Sequence, residues 1–147
     1  MSKAKRMQPV ARIAQQHSDA AARVLADNRQ QLAMKQQQLD ELIVYRDEYA
    51  QGLRHKSRNG LNATQIRDYN QFLNRLNLAI EQQQLAMETA CREIESSKQD
   101  WVGKQRRARV MDNVVDRHRQ QEQRDHAQQE QLENDEHALR TPRRENG

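Results

Sequence analysis

The sequence predicts an all-α protein, a long two-helix antiparallel coiled-coil hairpin with an overhanging C-terminal helix. Three observations carry this. Stepping by alternating threes and fours from Ile66 reaches Tyr69, Leu73, Leu76, Ile80, Gln83, Met87, Ala90, Ile94, Ser97, Trp101, Lys104, Ala108, Met111 and Val115. Twelve of these fifteen positions are apolar in a chain that is only 35% hydrophobic, which is the signature of one narrow seam facing another helix. Between the only two prolines, Pro9 and Pro142, strong helix formers dominate. A Gly- and Asn-containing break separates this seam from a second one upstream.

The elements follow in order, as a single coiled-coil rod over 1–147. Residues 1–8, with Lys3, Lys5 and Arg6, read as a flexible basic lead. Pro9 suits a first helical turn, where its missing N–H costs nothing, and helix 1 is expected over about 10–53. Its seam is Ala21, Leu25, Leu32, Leu39, Leu42, Tyr49 and Leu53, with Asn28, Lys35 and Arg46 as polar interruptions. Val10, Ile13 and Val24 would join it after a small phase shift, which leaves the register before Leu25 open.

Gly52 and the run His55-Lys56-Ser57-Arg58-Asn59-Gly60 mark a turn over about 54–62, Asn-Gly being its strongest signal. Asn62 followed by Gln65 reads as a capping box, with Thr64 as the competing cap. Helix 2 is expected over about 63–140, stopped by Thr141-Pro142, with 141–147 flexible. A turn centred near Asn59-Gly60 sets Leu42 against Leu76, Leu39 against Ile80, Leu32 against Met87, Leu25 against Ile94, and Lys35 against Gln83. The two seams, read separately, meet apolar to apolar. The same register ends the pairing near residue 110 and leaves His118, Glu122, Asp125, Gln129, Leu132, Glu136 and Leu139 as a mostly polar seam with nothing opposite. An unpacked helix has little beyond propensity to hold it, so that stretch either frays or enters a partner.

Composition sets further bounds. Mean hydropathy is −1.23 and aromatics are 3%; bulk hydrophobicity alone would suit a disordered chain, and the phased seam argues against that. Cys91 is the only cysteine, so an intrachain disulfide is excluded, and a reducing cytoplasmic location fits. No apolar run reads as a membrane span or secretory signal. The net charge of +4 is mild. The five histidines lack the i, i+4 spacing of a helical metal pair, no phosphate-cradling glycine motif occurs, and a thin rod has no pocket to shift a carboxylate pKa. No catalytic set, metal or cofactor is expected, and the protein is not read as an enzyme. Lys104, Arg106, Arg107 and Arg109 could bind phosphates but read equally as a charged helix face near Asp100 and Asp112. Without interleaved aromatics no nucleic-acid partner is expected.

The aromatics are more telling. Tyr45, Tyr49, Tyr69 and Phe72 are four of the chain's five, and all lie near the turn. Tyr49 and Tyr69 fit the seam. Tyr45 and Phe72 sit beside it and close together, with Leu42, Leu76, Leu78 and Ala79 around them. Such a patch on a thin rod marks a protein partner; the plainer reading is that it only thickens the hairpin end.

The runs Leu39-Asp40-Glu41-Leu42-Ile43-Val44-Tyr45-Arg46-Asp47-Glu48-Tyr49 and Tyr69-Asn70-Gln71-Phe72-Leu73-Asn74-Arg75-Leu76-Asn77-Leu78-Ala79-Ile80 resemble the FliJ family of bacterial flagellar export proteins. The resemblance is close over residues 39–83 and is a matter of coiled-coil pattern elsewhere. It implies a component of the flagellar type III export apparatus, similar to the central stalk of rotary ATP synthases. Such a stalk inserts its paired termini into the export ATPase hexamer and promotes that ring's assembly and activity. It also couples the ring to the cytoplasmic domain of the membrane export gate and carries free export chaperones. By this resemblance the gate-binding positions are Leu42, Tyr45, Tyr49, Phe72, Leu76 and Ala79, and position 83 is Gln. The expected ATPase-ring contacts are Arg106, Arg107, Arg109, Val114 and His118. The implied location is cytoplasmic, peripherally associated with the inner membrane at the flagellar base. The alternatives are the stalk of a related virulence type III secretion system and a generic scaffolding coiled coil.

Overall fold

The computed structural model describes residues 2–140. They form two α-helices, α1 (Lys3–Arg58) and α2 (Ala63–Arg140), of 56 and 78 residues. The chain divides into two compact units. One is Ala21–Trp101; the other combines α1 up to Ala20 with α2 from Val102.

In the Ala21–Trp101 unit the two helices run antiparallel through a short turn. Helix α1 ends at Arg58 rather than near Leu53, so the connection is shorter than the expected 54–62. The Asn59 N–H bonds the Lys56 carbonyl at 3.1 Å and the Gly60 N–H bonds the Ser57 carbonyl at 3.4 Å. Both use carbonyls that the helix end leaves without a partner. Gly60 has φ +86, a left-handed conformation that is strained for a side chain with a Cβ. The capping box forms on Asn62 and not on Thr64. The Gln65 N–H donates to Asn62 Oδ1 at 2.8 Å, and the Asn62 N–H donates to Gln65 Oε1 at 3.2 Å.

The core of this unit is the expected pair of seams. Ala21, Leu25 and Leu39 are buried on α1, and Leu76, Ile80 and Ala90 on α2. Each buried Leu or Ile contributes roughly 1.5–3 kcal/mol. Polar layers punctuate the seam. Asn28 Nδ2 donates to Ser97 Oγ at 2.5 Å, and Ser97 Oγ donates in turn to the Glu93 carbonyl at 2.7 Å. Gln83 lies against Lys35, as the register predicts, but it uses the Lys35 carbonyl, at 2.9 Å, and Gln38 Oε1, at 3.2 Å. At the turn end Ile66 is 38% exposed, so the α2 seam begins effectively at Tyr69.

The terminal unit corrects three expectations. Helix α1 begins at Lys3, not near residue 10, and residues 3–8 are helical rather than a flexible lead. Ser2 caps it: its Oγ accepts the Lys5 N–H at 3.1 Å, and its carbonyl accepts the Arg6 N–H at 3.1 Å. Pro9 therefore lies inside the helix, where it removes the donor to the Lys5 carbonyl and its ring crowds that same carbonyl, a cost of about 3 kcal/mol that the rest of the paired helix outweighs.

Register is the second correction. The heptad phase continues without a shift, burying Ala14, Ala11 and Ala4 together with Ser18, while Val10, Ile13 and Val24 stay exposed. Bringing the larger side chains inward would need a phase slip that expels the whole alanine row.

Third, the pairing does not stop near residue 110. It buries Ala108 and Val115 and reaches Glu122, whose Oε1 accepts the Ala4 N–H at 3.2 Å. The earlier start of α1 supplies part of the partner, and a shift in register supplies the rest, since the alignment of Leu39 with Ile80 would set Ala4 against Val115 rather than Glu122. Lys104, assigned to the seam, is exposed, and Gln105 is half-buried in its stead. The overhang is real but begins later: every residue from 123 to 140 is exposed. Residues 141–147, expected to be flexible after a Thr141-Pro142 stop, lie outside the described residues, as does Met1.

Candidate functional site

The aromatic group near the turn is assembled by helical spacing. Leu42, Tyr45 and Tyr49 are three and four residues apart on α1, and Phe72, Leu76 and Ala79 are four and three apart on α2, so each trio lines one helix face. Across the helix pair the rings interlock. Tyr49 is the hub, with centroids 4.6 Å from Phe72, 5.0 Å from Tyr69 and 6.4 Å from Tyr45. Phe72 and Tyr45 meet edge to face at 6.1 Å and 86°, the geometry that ring quadrupoles favour.

Exposure sorts the six expected gate-binding positions. Leu76 is buried at 8% and belongs to the core. Leu42, Tyr49, Phe72 and Ala79 are half-buried, and Tyr45 is 50% exposed. The structure thus brings Tyr45, Tyr49 and Phe72 of the six into ring contact and offers mainly Tyr45 to solvent. Val44 and Leu78, also exposed, add apolar surface nearby. Val44 was missing from the expected site. Its only sequence signal was a β-branched residue two positions from each of the seam residues Leu42 and Arg46. A shallow depression lined by Gln37, Asp40, Glu41, Val44, Tyr45 and Glu48 puts three carboxylates around the Val44–Tyr45 pair, so the apolar spot has an acidic rim on α1.

At the turn side of the cluster, Lys56 Nζ donates to Tyr69 Oη at 2.6 Å and lies 5.3 Å from that ring's centroid. The hydrogen bond to Tyr69 holds the Lys56 ammonium above its ordinary pKa. Partial burial, then the neighbouring Tyr69 and Tyr45, push the Tyr49 phenol up. Both groups keep their protons through the neutral range, Lys56 as a cation and Tyr49 as a neutral phenol. The site is a packed, neutral aromatic surface with a cation at its edge, suited to binding another protein.

The expected ATPase-ring residues fall on two sides of α2. Arg107, Val114 and His118 are seven and four residues apart and line one face, with Arg107 exposed and Val114 and His118 half-buried beside buried Val115, whereas Arg106 and Arg109 are exposed away from that face. Among the described residues no group of three or more His, Cys, Asp and Glu side chains could hold a metal ion. No described helix is long and apolar enough to cross a membrane.

Fold and site define a two-helix α protein that carries a half-exposed aromatic cluster on a coiled-coil pair. By comparison with known proteins, the chain belongs to the flagellar FliJ protein family, whose model matches residues 2–147. It is 30% identical over 105 residues to a flagellar FliJ protein of Salmonella typhi, an alignment covering 71% of each chain.

Proposed function

We propose that this protein is a component of the flagellar type III export apparatus that acts as a central-stalk-like coiled coil. The terminal unit enters the export ATPase hexamer and promotes its assembly and activity. The aromatic surface docks on the cytoplasmic domain of the membrane export gate, so the protein couples the two. It escorts free export chaperones and works in the cytoplasm, peripherally associated with the inner membrane at the flagellar base. It has no catalytic role of its own.

The observation that carries this reading is the half-exposed Tyr45 held over Phe72 and Tyr49. An exposed tyrosine fixed by two other rings loses little side-chain freedom on binding, which makes it an effective anchor. Support for the ring half is the exposed helix 123–140, which packs on nothing described and suits a receiving partner.

The test is a pull-down of the full chain with the gate's cytoplasmic domain and, separately, with the export ATPase. Tyr45→Ala is expected to weaken gate binding at least about tenfold and leave the ATPase unaffected. Removal of residues 123–140 is expected to do the reverse. Gate binding that survives Tyr45→Ala unchanged removes the docking assignment.

A further inference from the structure

The exposed side of α2 in the terminal unit, the part that the proposed function sends into the ATPase ring, carries a charge pattern that can act while the chain is not engaged with that ring. Between Lys104 and Arg119 six of the charged residues are basic (Lys104, Arg106, Arg107, Arg109, Arg117, Arg119) and two acidic (Asp112, Asp116). Between Gln123 and Arg140 five are acidic (Asp125, Glu130, Glu133, Asp135, Glu136) and two basic (Arg124, Arg140). A basic half and an acidic half thus follow each other on one helix, with Gln121 near their boundary. Among the exposed apolar side chains on this polar surface are Val110 at 55% and Leu132 at 65%. They lie at equal distances on either side of Gln121.

That symmetry extends along the helix. Gly103 and Leu139 are also equidistant from Gln121, and at 3.6 residues per turn they sit about ten turns apart on the same face as Val110 and Leu132. This face lies beside the one that packs on α1, and Gly103, Val110, Gln121, Leu132 and Leu139 are all exposed. A Cβ built on Gly103 would meet nothing within 4 Å, so that spot is open for a side chain arriving from elsewhere.

We propose that this face of α2, residues 103–139, pairs with the same face of a second copy of the chain, antiparallel about a twofold axis at Gln121. In that arrangement Val110 packs against the partner's Leu132, and Leu139 covers the open surface at the partner's Gly103. Flanking these contacts, Arg106 meets the partner's Asp135 on one side, and Arg107 meets the partner's Glu136 on the other. Twofold symmetry doubles every contact. Among the described residues Asp135 and Glu136 hold long contacts within their own helix, to Gln131 at 3.5 Å and Arg140 at 3.9 Å, which are weak on an exposed surface. Arg117 and the partner's Arg124 form a like-charge contact near the axis. The balance is two attractive flanking pairs to one repulsive pair per half. A weak, salt-sensitive dimer is the expected product. The occupant must be basic where this helix is acidic, acidic where it is basic, and apolar at matching heights, which a second copy satisfies.

The test is sedimentation velocity of the full chain over a range of protein and salt concentrations. A monomer–dimer equilibrium that shifts toward monomer with added salt is expected. Arg106→Glu with Arg107→Glu, and separately Asp135→Arg with Glu136→Arg, should each raise the dissociation constant at least about tenfold. An equimolar mixture of the two variants should dimerise again, because each then carries the charge the other lacks. Both changes lie on exposed positions, and unchanged circular dichroism separates lost pairing from lost folding. In a Cys91→Ser background, Gln121→Cys should form a disulfide-linked dimer, since the axis brings the two copies of that position together. A chain that is monomeric throughout, whether or not it floats with acidic-phospholipid vesicles, overturns the proposal. So does a mixture of swapped variants that fails to dimerise.

Discussion

The backbone N–H of Ala4 donates to Glu122 Oε1 across 3.2 Å. Ala4 is the second residue of α1, where a backbone donor has no partner within its own helix. A carboxylate is also the favoured group at the positive end of a helix dipole. Glu122 is therefore a cap supplied by the opposite helix, and it stands where the paired part of α2 gives way to the exposed part.

Replacing Glu122 with Ala should remove both the acceptor and the charge, at a cost of about 1 kcal/mol, as for other lost N-terminal caps. The loss should be local. Amide exchange at residues 3–8 is expected to accelerate while exchange around Leu39 and Ile80 stays unchanged. Glu122→Gln keeps an acceptor and should show a smaller effect. Equal acceleration throughout the chain would mean that the contact is not a local cap.

The Asn28–Ser97 layer makes a different prediction. Ser97 Oγ also bonds the Glu93 carbonyl, so replacing Asn28 leaves no orphaned donor behind. Asn28→Leu with Ser97→Ala should raise stability by roughly 1–2 kcal/mol, because an apolar layer replaces a polar one. It should also weaken the choice of register, since polar seam pairs are what penalise a slipped alignment. Urea unfolding measures the first effect. A broadened distance distribution between spin labels on the two helices measures the second. A double variant less stable than the parent would show that the polar pair holds the fold as well as its register.

Much of this architecture was legible in the sequence, for identifiable reasons. Leu25, Leu39, Leu76 and Ile80 are large, correctly phased and far from any helix breaker, so their burial follows from spacing alone. Asn62 and Gln65 announced their capping box by chemistry and separation. The start of α1 was harder to read. Its seam there is built of Ala4, Ala11, Ala14 and Ser18, residues too small to stand out against Val10 and Ile13, and hydrophobicity misdirects attention to the larger pair. Pro9 looked like a boundary because prolines favour first turns, yet the lost bond and ring crowding of one interior proline, about 3 kcal/mol, do not forbid the turns before it when those turns pack on α2 through Ala4 and Glu122. The error in the start of α1, together with a register that shifts away from the turn, carried into the expected pairing, which stopped near residue 110 instead of Glu122. At the site, spacing identified the aromatic group but not its layering. That Tyr49 is the hub and Tyr45 the outward ring depends on how the two helices are rotated against each other.

Alkaline pH should loosen the turn end of the Ala21–Trp101 unit. Lys56 and Tyr49 both have folded pKa values raised above their ordinary 10.5 and 10.0. A raised value means that the folded state holds the proton more tightly than the unfolded chain does. The associated stability is fully present below about pH 10 and is lost as pH rises through the folded values. Thermal melts should be flat on this account across the neutral range and fall above pH 10. Lys56→Met should diminish the alkaline fall because it removes the ammonium that Tyr69 accepts from. In a tyrosine absorbance titration the Tyr49 phenol should ionise late, and that late component should vanish in Tyr49→Phe. A titration with no component that Tyr49→Phe removes from its alkaline end would contradict the packing of Tyr49.

Tyr45 and Tyr49 lie on the same helix one turn apart, and their rings are 6.4 Å apart, yet they should separate cleanly in function. Tyr49 contacts three rings and is half-buried, so Tyr49→Ala removes the hub on which Tyr69 and Phe72 rest. It should lower Tm by roughly 5 °C, and any loss of gate binding would then be confounded with a loosened hairpin end. Tyr45 touches Tyr49 and Phe72 from outside and is half-exposed, so truncating it leaves the hub in place. Tyr45→Ala should keep the parent Tm within about 2 °C while weakening gate binding at least about tenfold. Tyr45→Phe retains the ring and should bind nearly as the parent if the ring's apolar face is what docks. A parallel loss in Tyr45→Phe would assign the contact to the hydroxyl instead. Val44→Ala supplies the boundary: it should weaken binding modestly if the docking surface extends across the exposed side of α1. If Val44→Ala leaves binding unchanged, the surface runs instead from Tyr45 toward Phe72 and Ala79 on α2.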